Sequence, residues 1–94
     1  MRTETIHIPE QHPVFAGHFP DRPVVPGSML LELITAAWGG AITRVSTIKF
    51  LRPILPGDIL TLHFALAGAG PAIHFSATRA GETVCAGVII PEPP

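Results

Sequence analysis

The sequence predicts an α+β domain in which a long antiparallel sheet curls around a single helix. Three observations carry this expectation. Apolar residues recur at helical spacing in one segment only, from Met29 to Trp38, and Gly39-Gly40 stops it after about three turns. Beyond Gly40 the chain reads as strands separated by turn signals. That much strand is too long to lie flat over so short a helix, which points to a curled sheet in a two-layer arrangement. At 94 residues the chain is one domain, residues 1 to 94, of a size that buries only a little over ~60% of the surface its unfolded form exposes.

The elements follow in chain order. The opening "TETIHI" alternates polar with apolar and ends at Pro9, a short strand. Residues 9 to 27 hold five prolines and two glycines, an ordered loop whose shape is set by fixed φ angles. Ser28 is the expected N-cap of the helix. At about 100° per residue, Met29, Leu30, Leu33, Ile34, Ala37 and Trp38 share one broad face, with Ser28, Glu32, Thr35 and Ala36 on the other. Glu32 is the helix's only charge and its neighbours on that face are small.

Then come "ITRVSTIKF", "DILTLHFALA", "AIHFSATRA" and "TVCAGVII", with turns expected at Pro56-Gly57, Gly68 to Pro71 and Ala80-Gly81. These strands are expected to form an antiparallel meander. A turn centred on Gly68 and Ala69 would set Leu62 opposite Phe75, Phe64 opposite Ile73, and His63 opposite His74. The terminal "PEPP" is expected to fray.

Composition narrows the function. Hydrophobic residues make up 47% of the chain and charged residues 14%, and the mean hydropathy is +0.43. That is more apolar side chain than a lone small domain hides, so an oligomer with an apolar interface is expected. A net charge of -1 without a Lys/Arg cluster speaks against a nucleic-acid surface. The N-terminus carries charges where a signal peptide needs an apolar run, and no apolar segment reaches ~18 residues. A single Cys85 allows no internal disulfide. A cytoplasmic protein without membrane contact is the expectation.

The residues suited to chemistry are His18, in the proline-rich loop, and Glu32, one turn inside the helix. An imidazole that titrates near neutrality and a carboxylate in an apolar setting suit paired acid and base work. Gly27 precedes the helix, where free N–H groups and the positive end of the dipole can polarise a carbonyl oxygen. Each has an ordinary alternative: a solvated loop histidine, the wet side of an amphipathic helix, and a plain helix start.

The string as a whole is more specific. "GHFPDRPVVPGSMLLE" resembles the active-site motif of the 3-hydroxyacyl-acyl carrier protein dehydratases: Gly-His-Phe-Pro, two variable residues, Pro, two variable residues, Pro-Gly, and an acid five positions on. Gly17, His18, Phe19, Pro20, Pro23, Pro26, Gly27 and Glu32 fill it in register. "IKFLRPILPGDIL" is similar to a second block of that family, where a Pro-Gly-Asp turn leads into the next strand.

The resemblance implies a hotdog fold working as a homodimer or larger, with active sites at the interface, and an enzyme that dehydrates a 3-hydroxyacyl thioester to a 2-enoyl thioester. It implies that His18 takes the α-proton, that Glu32 binds and helps protonate the departing hydroxyl, and that the Gly27 amide holds the thioester oxygen. It implies no metal or organic cofactor, and a partner in acyl carrier protein, whose phosphopantetheine arm carries the substrate. Compact relatives of this kind serve aryl polyene and other secondary pathways as well as fatty-acid synthesis.

Where members of the family usually carry glutamine four residues after the acid, this chain has Ala36. That departure keeps open a non-catalytic subunit that binds acyl carrier protein. A hotdog thioesterase, with Glu32 directing water at the thioester carbonyl, is the other alternative. Elsewhere, His63 and His74 could form a cross-strand metal pair, though solvated histidines are the ordinary reading. Cys85 reads as core, and Arg22, Arg44, Lys49 and Arg52 are basic residues that an acidic carrier protein could meet.

Overall fold

The computed structural model describes residues 2–12 and 24–93. The described elements are β1 (Arg2–His7), α1 (Gly27–Trp38), β2 (Ile42–Phe50), β3 (Ile59–Leu66), β4 (Ile73–Arg79) and β5 (Glu82–Pro91). Every segment expected to be a strand is one, and the helix occupies the expected stretch.

All five strands form one antiparallel sheet in the order β1-β3-β4-β5-β2. Only β3-β4-β5 is a meander. β2 does not continue it as expected but pairs with β5 at the far edge, while β1 takes the free side of β3. The reason lies in residues 51 to 58, where two prolines and a tight turn carry the chain across the sheet instead of folding it into a hairpin. Leu51 N–H binds Val84 O at 2.9 Å, Ile8 N–H binds Asp58 O at 2.8 Å, and Asp58 N–H closes the turn on Leu55 O at 3.1 Å. Pro56 and Gly57, the latter at φ 84°, supply the turn residues that the sequence announced.

Alternation along the strands puts one face on the helix. Leu60, Leu62, Phe64, Phe75, Ala77, Cys85 and Ile89 share the inward face and are buried, Val84 is buried beside them at the register shift in β5, and Leu30 and Ile34 of α1 are wholly buried in the same core. Leu33, Ala37 and Trp38 complete the expected apolar face, half-buried against the same core. The sheet wraps: its β1 edge touches the C-terminal end of α1 through Arg2, and its β2 edge reaches the N-terminal end, where a Cβ on Gly27 would lie 3.4 Å from the Phe50 ring.

Two details differ from expectation in instructive ways. The β3–β4 register places Phe64 opposite Phe75, Leu62 opposite Ala77 and Leu66 opposite Ile73, two residues from the expected pairing. Ala67 N–H closes the loop on Ala72 O at 3.0 Å, so the turn centres one residue later. A shift of two leaves every side chain on its intended face, so the core forms equally well. At the other end, β5 runs on through Pro91, and Glu92 N–H binds Ala41 O at 3.0 Å, so the terminal segment is paired further than expected.

At Gly87 the neighbouring backbone leaves no space for a side chain. β2 is irregular between Val45 and Thr47, which brings the Thr47 carbonyl over Gly87. A Cβ there would run into that oxygen and lie 2.7 Å from Cζ of the fully buried Phe75.

Candidate functional site

α1 begins two residues earlier than the sequence suggests. Gly27 is its first residue and Pro26 its N-cap, so Ser28 is inside the helix and not its cap. Pro26 holds φ -68° and ψ 152°, an extended conformation that a proline adopts without strain, and its carbonyl accepts from the N–H groups of Met29 and Leu30 at 3.1 Å each. Among the described residues no side chain caps this end, and no acid sits in its first turn. The Gly27 and Ser28 N–H groups, being the first two of the helix, have no acceptor within it.

Beside this helix start lies a cleft of about 390 Å³ lined by Val24, Val25, Phe50, Leu51 and Ile54, with Arg52 on its wall. A Cβ on Gly27 would meet the Phe50 ring edge at ordinary van der Waals distance. The start is fixed from outside, by Val25 N–H on Ile54 O at 2.7 Å.

Glu32 stands on the exposed face of α1, with exposed Ser28, Thr35 and Ala36 around it, as the helical spacing requires. Among the described residues it has no hydrogen-bond or ion-pair partner. Thr35 does not supply one, since its hydroxyl donates to Leu31 O at 2.8 Å. Ala36, one turn on, has no polar atom to offer. His18 lies outside the described residues, as do Gly17, Phe19, Pro20, Arg22 and Pro23. The structure thus carries two of the three expected site residues, Gly27 and Glu32, on one helix.

The other expectations fare differently. His63 is opposite Ser76, with Nε2 3.5 Å from the Thr78 hydroxyl, and His74 is opposite Ala65. The expected histidine pair does not form, because the turn centre is shifted, and among the described residues no three His, Cys, Asp or Glu side chains converge. Cys85 is buried core, and burial pushes its thiol from 9.0 up to about 11. Arg44, Lys49 and Arg52 are exposed, and Arg52 pairs with Glu82 at 3.4 Å. No described helix is long and apolar enough to cross a membrane.

Sequence reasoning missed Asp58 and Arg79. Asp58 Oδ2 accepts from Arg79 Nη1 at 2.6 Å and from Leu55 N–H at 2.8 Å, a pair mostly shielded from solvent. Asp58 belongs to the "PGD" block, but nothing local links it to an arginine 21 residues on.

Comparison with known proteins bears on this geometry. The family model described as ApeI-like, ApeI dehydratase, matches residues 2–88. The chain belongs to the ApeI-like dehydratase family. It is 35% identical over 91 aligned positions to the 3-hydroxyacyl-[acyl-carrier-protein] dehydratase FabZ of Chlamydia trachomatis, a match covering 79% of this chain and 60% of the relative. To the FabZ of Clostridium perfringens it is 31% identical, covering 83% of this chain and 68% of the relative. The chain therefore spans about 60% of the length of the chlamydial protein.

Among solved structures, the dehydratase heterocomplex ApeI:P from Xenorhabdus doucetiae has a chain that superposes with a TM-score of 0.75 at 22% identity, over 94% of this chain and 83% of that one. An uncharacterised protein from Erwinia carotovora subsp. atroseptica gives 0.76 at 27% identity, over 97% and 82%. The fold is the hotdog fold that the two sequence blocks implied.

Proposed function

We propose that this protein eliminates water from a 3-hydroxyacyl thioester carried on acyl carrier protein, in fatty-acid synthesis or a related secondary pathway in the cytoplasm. One observation carries the reading: a helix whose first N–H groups are left uncapped beside an apolar cleft, with a lone carboxylate on its exposed face. Family membership and the dehydratase names of the relatives support it.

In this reading His18 takes the α-proton and the electron pair moves toward the thioester carbonyl. The Gly27 N–H binds the oxygen as it gains charge, aided by the helix dipole. The β-carbon to oxygen bond then breaks, and Glu32 gives the departing hydroxyl its proton, so water and a 2-enoyl thioester leave. No step calls for a metal or an organic cofactor.

A dimer fits what one chain leaves uncovered. β2 is an edge strand with its outer side unpaired, Phe50, Leu51, Leu55, Ile59 and Leu66 are exposed, and the Glu32 face of α1 has nothing packed on it among the described residues. If His18 of one chain serves Glu32 of its partner, His18→Ala and Glu32→Ala homodimers are each inactive. Refolded together at equal amounts, about half the dimers are mixed and half their sites intact, which restores roughly a quarter of wild-type turnover. Intact-dimer mass spectrometry confirms mixing. Mixed dimers no more active than either parent reject the shared site.

A second reading keeps a specific observation on its side. With Ala36 in place of a polar residue and Thr35 bonded to its own helix, Glu32 has no partner among the described residues to fix its orientation. A non-catalytic subunit that binds acyl carrier protein and completes a heterodimer would have no need of one. A panel of 3-hydroxyacyl thioesters, short, long and aryl, separates the two: conjugated enoyl product marks the dehydratase, and binding without turnover marks the subunit. Free acid would indicate a thioesterase.

A further inference from the structure

We propose that the Arg79–Asp58 pair is a positioning device for the start of α1, and through it for the Gly27 amide. Its catalytic consequence rests on the dehydratase reading above; its mechanical part does not.

Among the described residues no side chain caps the start of α1, and the backbone bond that ties it to the rest of the molecule is Val25–Ile54, whose two side chains are both buried. Ile54 in turn depends on the crossing segment in which it sits. Arg79 Nη1 donates to Pro53 O at 3.0 Å as well as to Asp58 Oδ2. The same carboxylate oxygen accepts from Leu55 N–H. The pair therefore grips the residues immediately before and after the one that holds Val25.

This grip is more than the turn requires. The turn at Pro56-Gly57 closes on its own backbone through Asp58 N–H and Leu55 O. Arg79 itself is anchored at the end of β4 by the two-residue hairpin at Ala80-Gly81, where both residues take positive φ. With side chains 30% and 16% exposed, the pair is better shielded than the Arg52–Glu82 pair at 60% and 57%, and a shielded pair resists competition from water. Both bonds leave one nitrogen, Nη1, so a single cationic donor at that place is what the grip requires.

Arg79→Met keeps an unbranched apolar stem and removes the grip; Arg79→Lys keeps the charge. Amide exchange followed by NMR in the full chain reads the mechanical effect. In Arg79→Met, the Val25 amide is expected to exchange at least about tenfold faster while Leu62 and Phe75 are unchanged. Turnover should fall about tenfold in kcat with KM within about twofold, as expected for a misplaced donor. Arg79→Lys should recover most of both. Unaltered Val25 protection overturns the proposal, and so does equal acceleration of all amides, which would mean a role in global stability alone. A wild-type protein that turns nothing over removes the dehydratase reading and leaves the exchange result to decide the positioning claim.

Discussion

The two ends of α1 are finished in opposite ways. At the C-terminal end the helix is closed by a left-handed glycine and by a cation brought from another element. Gly39 takes the left-handed conformation at φ 83° and its N–H binds Thr35 O at 3.1 Å. Arg2 reaches over from β1 to donate to Ala37 O at 2.8 Å and Trp38 O at 2.5 Å, putting a cation where the dipole is negative. Its guanidinium also lies 4.6 Å from the centre of the Trp38 ring, which packs edge-on against Phe64. At the N-terminal end the described residues supply a proline, a glycine and N–H groups without a side-chain acceptor. Stability is concentrated at one end, and polarity is left unspent at the other, where the proposed chemistry needs it.

The largest effect expected from this contrast is that of Gly27→Pro. Proline suits the first position of a helix, where its missing N–H has no intrahelical use, and Pro26 already has the extended backbone that a following proline demands. The thermal midpoint should move little, while turnover should fall on the order of 100-fold because the oxygen-binding donor is gone. A stable Gly27→Pro protein with normal turnover would end the assignment of that amide.

Pro26→Asp is expected to act on both quantities in opposite directions. A carboxylate cap stabilises a helix start by about 1 kcal/mol, but it covers the open N–H groups and puts negative charge where the thioester oxygen must sit. Urea denaturation should show the gain and a turnover assay a loss of about tenfold. A rise in both would contradict the functional meaning given to the bare end.

Arg2→Met tests the other end. Removing the two hydrogen bonds and the ring contact should lower stability by about 1–2 kcal/mol in chemical denaturation, with kcat unchanged. Smallest is Gly39→Ala, where open space surrounds the residue and only the left-handed backbone resists; about 1 kcal/mol is expected, again with no effect on turnover. Loss of activity in either variant at matched folded fraction would erase the contrast.

How much of this could be read from the sequence follows from which signals are local. The end of α1 at Gly39, the bounds of β2 and the inward sets Leu60-Leu62-Phe64 and Ile73-Phe75-Ala77 are written in spacing and composition. The position of β2 beside β5 is not, because edge strands carry no mark of their neighbour and the decision is made by a crossing segment tied to β1 and β5. The β3–β4 register was open for a different reason: "AGAGPA" offers glycines two apart, and either choice keeps the core set facing in. At the site, the motif named Gly27 and Glu32 together with His18, which lies outside the described residues. It could not reveal the Asp58–Arg79 pair, since their partnership exists only once β4 has been laid beside β3.

The burial of Cys85 has a consequence for how opening of the molecule can be timed. The residue is wholly buried in β5, opposite Ala77 on one side and Phe50 on the other, and it is the chain's one sulfhydryl. With its ionisation moved from 9.0 to about 11 by burial, the native thiol is both covered and protonated, whereas an unfolded chain would ionise it from about pH 9. Raising the pH through that window favours the unfolded state, by up to about 3 kcal/mol once both values are passed. Below it, an alkylating reagent reacts only when β5 parts from its neighbours, so labelling of one sulfur reports the population of the open sheet when reclosing is fast and the rate of opening when the reagent outpaces reclosing.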